Sequence, residues 1–120
     1  IASAAVRIWA ADLREVMVNL LVNAREAAGE GGLVQVSCKS SPNYEIELRV
    51  KDSGAGIALD QRERIFEAYF TTKKKGTGLG LAIVKQNTEL YGGEVRVESE
   101  LGEGTEFILT FPTRVLLRDN

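Results

Sequence analysis

Two pairs of alternating segments constrain this chain more than any other feature. Val34, Val36 and Cys38 alternate with Gln35, Ser37 and Lys39, and Tyr44, Ile46, Leu48 and Val50 alternate with Glu45, Glu47, Arg49 and Lys51. A period of two puts the apolar set on one face of a strand and the polar set on the other. The turn Ser40-Ser41-Pro42-Asn43 joins the two segments, predicting an antiparallel hairpin with one wet face. Near the end of the chain, Val95 and Val97, a Gly102-Glu103-Gly104 turn, and Phe107, Leu109 and Phe111 predict a second hairpin. Cys38 falls on the apolar parity of its strand and is expected to be a small core residue.

Between and before the hairpins the period changes to that of a helix. Leu13, Val16, Met17, Leu20, Ala24 and Ala27 predict an amphipathic helix over Asp12 to Ala28, closed by Gly29, Gly31 and Gly32. A short helix is expected around Leu59 to Phe66. Another runs from Leu79 to Tyr91 through Ala82, Ile83 and Leu90, ended by Gly92-Gly93. The stretch from Tyr69 to Gly80 is a polar loop rich in lysine and glycine. The expected fold class is α+β: a two-layer sandwich, with a mixed, mostly antiparallel sheet covered on one face by about three helices.

A chain of 120 residues makes one domain, able to bury about two-thirds of its unfolded surface. No apolar run approaches the roughly 18 residues of a membrane span, and no signal peptide opens the chain. The net charge of -2, from 15 basic and 17 acidic residues, lacks the clustered basic excess of a nucleic-acid or anionic-membrane binder. Neither nucleic acid nor direct membrane contact is expected. The lone cysteine permits no internal disulfide and fits a reducing, cytoplasmic setting. The start at Ile1, inside an apolar pattern, leads us to expect a fragment of a longer protein.

The sequence contains no histidine, which removes serine and cysteine triads, histidine-ligated metals and histidine bases at once. Three other groupings carry chemistry. Glu15, Asn19 and Asn23 are four apart and share one stripe of the first helix. Asparagine is a poor helix-interior residue. Amide oxygens and a carboxylate in a row suit a hard cation such as Mg2+, and equally suit a solvated polar face. Asp52-Ser53-Gly54-Ala55-Gly56 follows a strand directly; its aspartate can accept a bond from an exocyclic amine such as that of adenine, or simply close a tight turn. Gly76-Thr77-Gly78-Leu79-Gly80-Leu81 opens a helix with bare N–H groups behind Lys73, Lys74 and Lys75. This suits a phosphate or a flexible solvated loop, and it is neither a Walker nor a Rossmann motif.

Read in order, these segments resemble the ATP-binding catalytic domain of sensor histidine kinases, within the gyrase, heat-shock chaperone and mismatch-repair ATPase superfamily. Glu15 to Ala24 is similar to the N box, and Asp52 to Ile57 to the first glycine box. Ile65-Phe66-Glu67-Ala68-Tyr69-Phe70-Thr71-Thr72-Lys73 is similar to the F box, and Gly76 to Leu81 to the second glycine box. Gly102-Glu103-Gly104-Thr105-Glu106-Phe107 matches the glycine-containing hairpin near the domain's end. The likeness covers about residues 5 to 112. Its short loop is most similar to the nitrogen-regulation type.

The resemblance implies a Bergerat-type fold that binds ATP and Mg2+. Asp52 would take the adenine amino group, with Gly54, Gly56, Ile57 and Thr105 around it. Asn19 and Asn23 would hold Mg2+ and the phosphates, with Glu15 reaching the metal through water. Gly76, Thr77, Gly78, Leu79, Gly80 and Leu81 would lie against the phosphates, and Lys73 would touch the γ-phosphate from a lid over residues 69 to 77. Phe66 and Phe70 would anchor that lid and touch the partner domain, although Phe66 equally suits plain core packing. The implied partners are ATP or ADP, the helical dimerisation domain bearing the phosphoacceptor histidine, and a response regulator downstream.

The chain departs from the family pattern at three places. Ala68 stands where the F box usually has proline. Glu26 stands where many relatives place a phosphate-binding lysine. Trp9-Ala10-Ala11 occupies the usual place of an aspartate. Two alternatives share the same motifs: a non-catalytic ATP-binding scaffold, and a serine kinase of the anti-sigma-factor type.

Overall fold

A computed structural model describes residues 3–41, 45–70 and 78–116. In chain order the elements are β1 (Ser3–Ala5), α1 (Ala10–Ala28), β2 (Val34–Ser41), β3 (Glu45–Asp52), a 3-10 turn (Leu59–Gln61), α2 (Gly80–Leu90), β4 (Glu94–Glu100), β5 (Gly104–Pro112) and β6 (Arg114–Leu116). The main sheet has the order β2-β3-β5-β4, and β1 pairs with β6 in a separate two-stranded ribbon. Every pairing among the described residues is antiparallel. Both expected hairpins are present, and β5 of the second lies beside β3 of the first. The α+β class stands, with two α-helices among the described residues on one face of the sheet rather than about three.

The third expected helix is replaced by the single 3-10 turn followed by i-to-i−3 turns. Arg64 N–H bonds Gln61 O at 2.9 Å, and Glu67 N–H bonds Arg64 O at 2.9 Å. The reason is packing: Ile65 and Phe66 reach the core, whereas Leu59 is 77% exposed, so no continuous apolar stripe supports a full helix.

The core is the meeting of α1, α2 and the inner sheet face. Val16, Leu20 and Ala24 on one stripe of α1 pack with Val84 of α2 and with Val50, Phe107, Leu109 and Phe111 of the sheet. Burying a side chain such as Leu20 contributes about 1.5–3 kcal/mol. In α2 the inward position that was expected of Leu90 belongs instead to Thr88; Leu90 is 70% exposed and Thr88 is fully buried. The Thr88 hydroxyl donates to Val84 O at 2.7 Å, so the buried polar group is satisfied within its own helix.

Cys38 is exposed rather than core. It pairs with Leu48, so its parity is inward as expected, but β2 is an edge strand that the helices leave bare from Val34 to Ser40. On the opposite, open face Ile108 is fully buried between Arg49 and Arg96, its cross-strand neighbours. Glu47 draws these charges together, with Arg49 at 2.9 Å, Lys39 at 3.4 Å and Arg96 at 3.8 Å; Arg49 also meets Glu106 at 3.0 Å. The Arg49 hydrogen bond is the chief cause that holds the Glu47 carboxyl below its ordinary value. The charged heads thus roof an isoleucine on an otherwise wet face.

Candidate functional site

At one end of the inner sheet face the apolar core gives way to a row of polar side chains. Thr105 on β5 is the cross-strand partner of both Asp52 on β3 and Ser99 on β4, and all three are buried. Directly opposite residues share a face and project together. Asp52 Oδ1 accepts the Gly54 N–H at 2.9 Å, while Oδ2 is buried with no partner. An unsatisfied buried carboxylate oxygen costs roughly 1–3 kcal/mol or more, so a donor from a ligand or a water would be held strongly against it.

The loop after Asp52 is shaped by its contacts. A Cβ at Gly54 would overlap the Ala27 carbonyl at the end of α1, and one at Gly56 would overlap the Glu100 carbonyl. Ser99 Oγ accepts the Ile57 N–H at 2.7 Å, and Gly102 N–H bonds Ala55 O at 2.7 Å. Arg62 donates through Nη2 to the Ser99 carbonyl. The aspartate, its glycines, Ile57 and the buried Thr105 are therefore one assembly.

The α1 stripe meets α2 through Asn19. Its Nδ2 donates to Glu15 O at 2.8 Å, which leaves Oδ1 directed away from its own helix. A Cβ at Gly80 would lie only 2.9 Å from that oxygen. Asn23 is on the same stripe one turn on, half-buried, while the Glu15 side chain is exposed. An amide oxygen turned from its own helix, with an exposed glutamate one turn before it, fits Mg2+, which takes few protein oxygens and completes its shell with water and phosphate. Among the described residues no group of three His, Cys, Asp or Glu forms a metal cluster by itself.

Leu79 supplies no side-chain cap to α2, whose first turn begins at Gly80 and Leu81. The loop before α2 is pinched at its base. Tyr69 N–H bonds Gly78 O at 2.7 Å, Gly78 has φ +75, and a Cβ on it would strike the Tyr69 backbone. Tyr69 itself has φ +69, a left-handed conformation costly for a tyrosine. Lys73, Gly76 and Thr77 lie outside the described residues. Phe66 packs edge-on against Phe107 at 6.1 Å between ring centroids, while Phe70 carries the Arg64 guanidinium 4.5 Å from its centroid.

Sequence reading overlooked Ser99 and Arg62. Ser99 was visible as the polar third member of the inward series Val95, Val97, Ser99; Arg62 gave no signal. It also overlooked the clasp between the helices. Tyr91 OH donates to Asp12 Oδ2 at 2.5 Å and accepts the Trp9 N–H at 3.1 Å, joining the end of α2 to the start of α1. The Asp12 bond is the main cause that raises the Tyr91 phenol above its usual range.

The sequence pattern of the family described as histidine kinase-, DNA gyrase B-, and HSP90-like ATPase matches residues 10–115. The chain belongs to this family. It is 43% identical over 107 residues to the sensor histidine kinase ZraS of Escherichia coli K12, covering 89% of this chain and 23% of that protein. It is 40% identical over 102 residues to sporulation kinase E of Bacillus subtilis, covering 85% of this chain and 14% of that protein. The chain thus spans less than a quarter of the length of these relatives. Among solved structures, the mycobacterial sensor histidine kinase MprB superposes with a TM-score of 0.84 at 32% identity, over 92% of this chain and 78% of that one. Full-length ShkA in complex with AMPPNP superposes with a TM-score of 0.78 at 36% identity, over 89% of this chain and 22% of that one. The domain is of the ATP-binding catalytic kind found in sensor histidine kinases. No helix among its described residues is long and apolar enough to cross a membrane.

Proposed function

We propose that this domain binds ATP with Mg2+ and presents the γ-phosphate to a histidine on a separate helical dimerisation domain, for relay to a response regulator. The observation that carries the reading is the buried, unpartnered Asp52 Oδ2 at the end of the polar row. An adenine amino group is a donor of the right kind for it, and a carboxylate acceptor makes a stronger bond than a neutral one. Ile57 and Thr105 complete the base pocket. Gly54 and Gly56 let the loop pass close to α1 and β4 and so form its wall.

The phosphates would run from there toward the α1 stripe and the bare start of α2. Asn19 and Asn23 hold Mg2+ and phosphate oxygens, and Glu15 reaches the metal through water. Gly78, Gly80 and Leu81 offer backbone N–H groups at the positive end of α2, and Leu79 lies among them against the phosphates. Gly76, Thr77 and Lys73 belong to the lid, with Lys73 the γ-phosphate contact. Mg2+, when bound, neutralises phosphate charge. Phosphoryl transfer needs mainly positioning and charge compensation, so a domain without histidine can serve it with the nucleophile supplied from outside. The work would be done on the cytoplasmic side, where ATP is supplied.

Calorimetric titration with ADP and a non-hydrolysable ATP analogue, with and without Mg2+, tests this on the wild-type domain and on Asn19→Asp. One-to-one binding strengthened by Mg2+ is expected. In Asn19→Asp the Mg2+ dependence should change while adenosine affinity stays within about twofold. An equal fall in adenosine affinity would remove Asn19 from the phosphate end. Absence of binding by a folded domain at millimolar nucleotide would leave a scaffold.

A further inference from the structure

Ser99 lies behind the proposed base pocket, bonded to two of its residues, Ile57 and Thr105, and its hydroxyl is fully engaged. It has one proton and two lone pairs. The proton goes to Gly104 O at 2.9 Å, since a carbonyl can only accept. One lone pair takes the Ile57 N–H at 2.7 Å. The remaining contact, with Thr105 Oγ1 at 2.8 Å, therefore uses the second lone pair, and Thr105 is the donor. Reversing that bond would release the Gly104 carbonyl, and Ser99 is 7% exposed, with little water to replace the partner.

We propose that Ser99 sets base specificity by taking the Thr105 proton, so that the two polar side chains of the base pocket, through Asp52 Oδ2 and Thr105 Oγ1, both act as acceptors toward the edge of the purine. The inference rests on the adenine reading of Asp52. Thr105 is the cross-strand neighbour of both Asp52 and Ser99, and hence the one hydroxyl able to pass this constraint along the row. The two hydrogens of the adenine 6-amino group can serve both acceptors, directly or through a water. Hypoxanthine brings one donor on that edge, N1–H, so its 6-oxo group meets the second acceptor as acceptor against acceptor. Sites built around buried hydrogen bonds reject the wrong group strongly because a polar atom is left unpaired. Ser99 is a positioning residue: it acts through Thr105.

The test is the ratio of dissociation constants for inosine diphosphate and ADP, measured by calorimetry on the folded wild-type domain, Ser99→Ala, Thr105→Val and Asp52→Asn. Freeing the Thr105 hydroxyl to donate should lower the ratio in Ser99→Ala by about tenfold, the effect of one hydrogen-bond mismatch. Thr105→Val should lower it similarly, and Ser99→Ala added to Thr105→Val should lower it no further. A loosened pocket would weaken both nucleotides together, so an unchanged ratio in Ser99→Ala overturns the proposal. If Ser99→Ala does not fold, an unchanged ratio in Thr105→Val overturns it. Failure of the underlying reading looks different: the wild type would not bind ADP, or Asp52→Asn would bind it equally well.

Discussion

Asp52, Gly54 and Gly80 divide the residue-level account between stability and function. At Gly54 the obstacle to a side chain is backbone, the Ala27 carbonyl, with Asp52 Oδ1 also only 2.9 Å from the Cβ position. Backbone cannot step aside, so Gly54→Ala should destabilise the domain by about 1–3 kcal/mol, read as a lower denaturant midpoint. At Gly80 the obstacle is the end of the flexible Asn19 side chain. Gly80→Ala should leave the midpoint unchanged or raised, since alanine favours a helix, and should weaken Mg2+-dependent nucleotide binding by displacing the Asn19 oxygen. Equal stability losses in the two variants would contradict this division. The motif residues were legible because glycine, asparagine and aspartate stand out against strand and helix patterns. Ser99 was harder to see: serine on an edge strand attracts no notice until its cross-strand partner is known.

At the level of elements, periodicity read well wherever a layer covers the element. The helix expected from Asp12 occupies Ala10–Ala28, and its buried residues fall on the expected stripe. Where no layer lies above, the same pattern misleads. Val36 and Cys38 keep inward parity on β2 yet stay exposed, because an edge strand has a neighbour on one side only and the helices sit over the rest. Leu90 fails similarly, carried past the core by the last turn of α2. Leu20→Ala should therefore cost about 2–5 kcal/mol in denaturant unfolding, and Leu90→Ala less than about 0.5 kcal/mol. A loss at Leu90 as large as at Leu20 would mean that α2 docks in another rotation. The short middle segment illustrates the converse: two anchoring residues, Ile65 and Phe66, hold a chain to the core without making it helical.

Across the whole molecule, the two sheet faces are stabilised differently and answer differently to pH. The inner face is apolar, apart from the polar row. The open face depends on Glu47 holding Arg49 and Arg96, the cross-strand neighbours of Ile108, with Lys39 paired to it from β2. Because the folded-state pKa of Glu47 lies below its unfolded value, its contribution is complete above about 4.3 and is lost as pH falls through the lowered value. Glu47→Gln should melt earlier than the wild type at neutral pH, with the gap closing below pH about 4. A gap that widens on acidification would contradict this assignment. The nucleotide site proposed above lies, by contrast, on the inner face, at the buried, unpartnered carboxylate oxygen of Asp52.

The most direct test of that claim is calorimetric titration of ADP into the wild-type domain and Asp52→Asn. The substitution keeps an oxygen to accept the Gly54 N–H and replaces the orphan oxygen with an NH2 group, which opposes the adenine amino group donor to donor. The account predicts saturable one-to-one binding by the wild type and a loss of about 10- to 100-fold in the variant, with the fold intact. Equal ADP affinity in the two proteins would contradict it, because the buried oxygen of Asp52 would then have no part in holding the base.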